Sequence, residues 1–333
     1  MNILTNPIKI RNLELNNRLV MPPMATVKLN DDGKVTQQLC DYYDERAKGN
    51  YIGLIIIEHS YINLAGKAGK GQISISQDSD IEGLNKLVSS IHKSGTKVMA
   101  QLNHAGGVAK SGIYDGQNIS ASSVRIPSKY GEYPIPKEMS YYDIKNLIDD
   151  FVKAAIRAKK AGFDGIELHS AHGYLLNQFY SPLTNKRKDK YNGSSIEGRI
   201  RLHLDIVQAI RKSVGDYPIA IRLGACDYMD GGSSINDSIK AAKIFEEAGV
   251  DLLDISGGFC GYINPNIKEQ GYFSEITEAI KKNTSIPIIL TGGIKNVDIA
   301  EELLKNKKAD MIGVGRVMLK DARWAEKSIN SLI

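Results

Sequence analysis

Ten consecutive residues, Gly165-Ile166-Glu167-Leu168-His169-Ser170-Ala171-His172-Gly173-Tyr174, hold a carboxylate, two imidazoles and a phenol. Imidazole and phenol donate hydrogen bonds and carry protons, so together they can grip a carbonyl oxygen or move a proton at carbon. Each group also has a plainer use. A histidine at a strand end is often only hydrogen-bonded, two histidines three apart suit a metal, and a tyrosine packs with its hydroxyl at the surface. The cluster therefore marks a site and leaves the chemistry to the rest of the chain. Upstream, Ile144, Leu147, Ile148, Phe151, Ala155 and Ala158 recur at helical spacing before Gly162. A helix feeding a β-branched strand is the rhythm of a parallel sheet. On that strand Glu167 and His169 share a face, because side chains alternate with period two, and His172 and Tyr174 follow in the turn.

The same rhythm runs through the chain. Strands are predicted over 18–21, 53–58, 97–102, 165–169, 218–223, 252–255, 287–290 and 311–314. Helices are predicted over 37–48, 81–94, 144–162, 196–214, 238–248, 272–282, 297–305 and 322–333. A long irregular segment, 105–140, is rich in Gly, Pro and Ser, and loops of that length usually serve function. Eight strand–helix units with no linker point to a single (β/α)8 TIM barrel, an α/β fold in one domain over residues 1–333. A doubly wound open sheet is the alternative, but no GxGxxG follows the first strand.

Composition sets the class. Hydrophobic residues make up 42% and charged residues 24% of 333, ordinary values for a soluble globular protein. No apolar run is long enough to span a membrane, and the first residues lack the pattern of a signal peptide. Cys40, Cys226 and Cys260 are isolated, without disulfide or zinc spacing, so a reducing cytoplasm is expected. The net charge of +5 is spread along the chain. The densest basic run, Lys186-Arg187-Lys188-Asp189-Lys190, reads as a solvated loop, and without interleaved aromatics no nucleic-acid partner is expected. Self-association into a homo-oligomer is left open.

In a TIM barrel the chemistry sits at the carboxyl ends of the strands. Thr291-Gly292-Gly293 and Gly313-Val314-Gly315-Arg316 end the last two, where glycine backbone and a following helix suit a phosphate and Arg316 adds a charged contact. Arg222 is a charge inside an apolar strand. It reads either as half of an ion pair, with Glu167 as the neighbouring candidate, or as a fixed cation facing an electron-rich ligand. His59, His104, His169 and His172 at early strand ends admit a metal-dependent hydrolase. Against it, only Glu58 offers a nearby carboxylate. A phosphate-binding aldolase or isomerase is the other alternative, though no strand-end lysine is placed for a Schiff base.

Several longer motifs resemble one family. They are the opening 7–13 with Asn17-Arg18-Leu19-Val20-Met21, the stretch Ala100-Gln101-Leu102-Asn103-His104-Ala105-Gly106, and His169-Ser170-Ala171-His172-Gly173-Tyr174. Ser181-Pro182-Leu183-Thr184-Asn185-Lys186-Arg187 with Tyr191-Asn192-Gly193, and Gly313-Val314-Gly315-Arg316, complete the set. Nearly end to end, the chain resembles the old yellow enzymes, flavin-dependent ene-reductases. The resemblance implies FMN at the barrel mouth and NADH or NADPH as hydride donor. It places Pro23, Met24, Ala25 and His59 along the flavin, Gln101 at its pyrimidine edge and Arg222 beside N1 and O2. It puts Gly293, Gly315 and Arg316 at the phosphate. It also implies that His169 and His172 hold the carbonyl oxygen of an enone or enal and that Tyr174 protonates the α-carbon. No metal is expected. Ala25 stands where some relatives have Cys, Thr26-Val27 follow where an aromatic can stand, and His59 stands where a small residue is usual. Larger relatives continue into a four-cysteine iron–sulfur segment. This sequence has no such segment, so electrons are expected to come directly from the nicotinamide.

Overall fold

Short runs of Leu, Ile, Val and Met form the strands, and most are buried along their whole length, as strands covered on both faces must be. In the computed structural model, which describes residues 2–26, 28–110, 116–128 and 131–332, eight of them close into a parallel barrel. These are β1 (Leu19–Met21), β2 (Leu54–Ile56), β3 (Lys97–Asn103), β4 (Gly165–Ser170), β5 (Ile219–Gly224), β6 (Leu252–Ser256), β7 (Ile288–Thr291) and β8 (Met311–Gly313). Neighbours pair in sequence order from β2 through β8, β1 pairs with both β8 and β2, and no barrel strand is left with a free edge. The predicted (β/α)8 barrel is the observed fold.

The longer helices are α1 (Gln37–Ala47), α2 (Ile81–His92), α3 (Tyr141–Ala161), α4 (Ile196–Val214), α5 (Ile235–Glu247), α6 (Ser274–Lys281), α7 (Val297–Lys305) and α8 (Trp324–Asn330), and a short helix, Arg316–Lys320, follows β8. Two start three residues before the apolar periodicity shows. The Ser140 side chain accepts from the Asp143 N–H and the Asp143 carboxylate accepts in return, and Ser234 with Asp237 repeats this ahead of α5. Such caps contribute about 1 kcal/mol each. Gly162, at φ 94°, ends α3 in a left-handed conformation that other residues resist.

Several features were not read from the sequence. A hairpin, Ile8–Ile10 with Leu13–Leu15, closes the amino-terminal end of the barrel. Its Ile10, Leu13 and Leu15 pack on inward-facing Val20, Leu54, Ile56, Met99 and Leu252. A short helix, Leu175–Tyr180, follows β4. The basic run is only partly a solvated loop. Arg187 is buried and donates to the carbonyls of Ala121 (3.1 Å) and Met139 (2.7 Å) and to Asp189. Its many donors tie the Ala121 and Met139 backbone to the loop that carries it, which is why this cation is buried. Val27 and Ile333, and residues 111–115 and 129–130 of that segment, lie outside the described residues. Among the described residues no helix is long and apolar enough to cross a membrane.

Candidate active site

A polar layer crosses the barrel just below its carboxyl-terminal mouth. Register places Gln101 beside Glu167, His169 beside Arg222, and Arg222 beside Asp254. Gln101 Nε2 donates to Glu167 Oε1 at 2.8 Å, and Thr291 Oγ1 to Asp254 Oδ1 at 3.1 Å. Arg222 faces inward. Its Nε lies 3.1 Å from Asp254 Oδ2, and its Nη1 reaches the Pro23 carbonyl at 3.4 Å. The ion-pair partner of Arg222 is therefore Asp254 on β6 and not Glu167 as expected. Burial, and Asp254 nearby, push the Glu167 carboxyl well up. Burial raises Asp254 too, with the Arg222 charge opposing it. The Arg222 charge opposes the rise in both carboxyls.

Above it stand the predicted reacting groups. His172 and Gly173 both have positive φ, 59° and 78°, and turn the chain sharply after β4. A non-glycine residue in that region is strained, as functional positions often are. The His169 ring lies 5.2 Å from that of His172 and 5.0 Å from that of Tyr174. His59 joins them, 5.4 Å from Tyr174 and 6.1 Å from His169. His172 Nε2 is held by Ser256 Oγ at 2.7 Å. Burial, then His172 and Arg222, hold His169 well below the usual imidazole range, and burial with Arg222 does the same to His172. His59 is lowered to about 4, by burial first and Arg222 second. At neutral pH these imidazoles are uncharged, each offering one N–H.

His104 does not join this group. It is buried behind Gly66 and accepts from the Gly106 N–H at 3.0 Å. Glu58 is turned onto Thr26, whose hydroxyl donates to it at 2.7 Å, and burial raises its carboxyl to about 7. Among the described residues no three His, Cys, Asp or Glu side chains are arranged to hold a metal ion.

The opposite side of the mouth is built from glycine. A Cβ on Gly293, at φ 69°, would lie 2.6 Å from the Tyr272 ring and 3.4 Å from Arg316 Nη2. A Cβ on Gly315 would lie 3.0 Å from the Met24 sulfur. Arg316 is exposed and donates to Tyr272 Oη at 3.3 Å. Ala25 is exposed beside Met24. The structure therefore brings Met24, Gly293, Gly315 and Arg316 to one side and the histidines and Tyr174 to the other, with Pro23 and Arg222 between.

These surroundings fit a flavin mononucleotide. Glu167 Oε2 and His169 Nδ1 are buried without hydrogen-bond partners, and polar atoms of this kind are rarely left so unless something binds them. Close glycine backbone and an exposed guanidinium suit a phosphate. Sequence reasoning missed Asp254, Tyr272 and the Gln72 and Asn103 contacts to His59. Only Asp254 carried a signal, the same one as Arg222, a charge within an apolar strand.

Comparison with known proteins agrees with this geometry. The profile of the "NADH:flavin oxidoreductase / NADH oxidase family" matches residues 3–332. An NADH oxidase of Thermoanaerobacter brockii is 41% identical over 326 residues, 96% of this chain but 50% of that protein. The chain thus spans half of that relative's length. An NADPH dehydrogenase of Bacillus subtilis is 39% identical over 334 residues, 99% of this chain and 96% of the relative. Among solved structures, the old yellow enzyme homologue from Zymomonas mobilis superposes with a TM-score of 0.86 at 26% identity, over 99% of this chain and 93% of that one. The chain belongs to the NADH:flavin oxidoreductase / NADH oxidase family, the old yellow enzymes.

Proposed function

We propose that the protein reduces the C=C bond of α,β-unsaturated carbonyl compounds, enones and enals, in a ping-pong sequence at one site. The observation that carries this reading is the convergence of His169, His172 and Tyr174, with ring centroids 5.0 and 5.2 Å apart, directly above the Arg222 layer. FMN, when bound, supplies the two-electron carrier that accepts hydride from NADH or NADPH and passes it to the alkene β-carbon. Pro23, Met24, Ala25, His59 and Gln101 would line its ring, Arg222 would face its most electron-rich edge, and Gly293, Gly315 and Arg316 would hold its phosphate.

The chain's own contribution is orientation and proton transfer. His169 and His172, both neutral, donate to the substrate carbonyl oxygen and draw electron density from the β-carbon. Uncharged imidazoles do this without giving up a proton of their own to solvent equilibrium. Tyr174 delivers its phenolic proton to the α-carbon and is reprotonated from water, which leaves the saturated carbonyl compound. The hydrolase and aldolase alternatives have no place for the redox cofactor of this family. Residues 1–333 act as one domain with small-molecule partners only. A reducing cytoplasm suits the buried thiols Cys40, Cys226 and Cys260.

Steady-state reduction of cyclohex-2-enone by NADPH tests this reading. It predicts cyclohexanone as product and parallel double-reciprocal lines; intersecting lines would exclude the ping-pong order, and an absent product would exclude the activity.

A further inference from the structure

The proton of His59 can be located from its neighbours. Gln72 Oε1 accepts from the Ala68 N–H at 2.6 Å, so the NH2 end of that amide faces the histidine. That end lies 2.8 Å from His59 Nδ1, and Asn103 Nδ2 approaches the same nitrogen at 3.2 Å. A ring nitrogen that accepts does not carry the proton, which therefore sits on Nε2. Among the described residues no side chain accepts from that second N–H. The ring is half-buried and stands beside Tyr174 and His169, on the side of the mouth where the carbonyl clamp is.

A ketone oxygen has two lone pairs, and His169 and His172 occupy both. A third N–H donor in the same pocket is then unpaired whenever a simple ketone is bound, and an unpaired donor in a closed site is costly. A substrate with a second oxygen on its activating group relieves that cost. We propose that His59 is a specificity-determining residue of the alkene pocket, whose Nε2–H takes the second oxygen of a nitro or carboxyl-ester group while His169 and His172 hold the first. This rests on the alkene-reduction reading above.

The FMN-loaded protein is assayed with NADPH on 1-nitrocyclohexene and on cyclohex-2-enone. His59→Leu is expected to lower the ratio of the two kcat/KM values, nitroalkene over enone, by about tenfold, the effect of losing one hydrogen bond. His59→Gln, which keeps an N–H donor, is expected to recover most of that ratio. Equilibrium titration of the oxidised protein with nitrobenzene and with acetophenone should show the same split in Kd, independently of turnover. An unchanged ratio in His59→Leu overturns the inference. So does an equal fall on both substrates together with faster FMN release, which would make His59 a cofactor contact only. A wild-type protein that reduces neither compound removes the parent reading and the inference with it.

Discussion

Replacing Arg222 by methionine tests the polar layer on which the site rests. The guanidinium Nε lies 3.1 Å from Asp254 Oδ2, and the two side chains are 5% and 0% exposed. Methionine keeps much of the apolar stem and removes the charge, leaving Asp254 buried without a cation. Breaking a buried pair in this way costs about 3–5 kcal/mol. The cost depends on pH, and its sign follows from linkage. Burial already raises Asp254, and Arg222 is the main group opposing that rise. Without Arg222 the folded pKa of Asp254 moves further above its unfolded value, so the folded form binds the extra proton. Stability of the variant then falls as pH rises, by up to ~1.4 kcal/mol per pH unit, until the folded pKa is passed. Urea unfolding of flavin-stripped wild type and variant, from about pH 5 to about pH 8, reads the difference without a ligand contribution. The deficit should widen with pH, and adding Asp254→Asn should recover at least ~2 kcal/mol of it at the alkaline end. A deficit below ~1 kcal/mol at neutral pH, or one of equal size at both ends, would refute the paired layer.

Other residues give independent tests. Tyr174→Phe keeps the ring that packs on His169 and His59 and removes the hydroxyl. It should slow the alkene half-reaction by ~10²–10⁴-fold while leaving flavin reduction by NADPH intact, and stopped-flow traces showing equal loss in both halves would discount the role. Gly293→Ala forces a side chain into a left-handed position, φ 69°, and against the Tyr272 ring at 2.6 Å. FMN release followed by flavin fluorescence should become at least about tenfold easier, and unchanged retention would remove Gly293 from the phosphate site. Burial lowers His104 to about 3, so it is neutral when folded but protonated when unfolded below about pH 6.5, and its contribution falls as pH drops through that window. Near pH 5 that amounts to about 2 kcal/mol, which His104→Gln should abolish in urea midpoints compared at neutral and acid pH; parallel acid losses in both proteins would contradict it.

Much of this architecture could be read from residue order, and what escaped did so for physical reasons. Helical spacing from Ile144 to Ala158 and the strand that ends in His169 report local periodicity, and local periodicity survives in one dimension. The hairpin Ile8–Ile10 with Leu13–Leu15 was hidden because three-residue strands are too short to show alternation. The partner of Arg222 was misplaced because choosing between Glu167 and Asp254 requires the stagger of β4, β5 and β6. Arg187 looked solvated because nothing nearby in sequence shows that the Ala121 and Met139 carbonyls come back to meet it. The tautomer of His59 depends on Gln72, whose orientation is set in turn by Ala68, and no spacing rule carries that chain of contacts.

The most direct test of the central claim follows the flavin colour through both halves of the reaction. Under anaerobic conditions, NADPH added to the FMN-loaded protein should bleach the flavin absorbance, and cyclohex-2-enone should then restore it with one cyclohexanone formed per flavin. A preparation that binds no flavin, or one that stays bleached when the enone is added, would contradict the account.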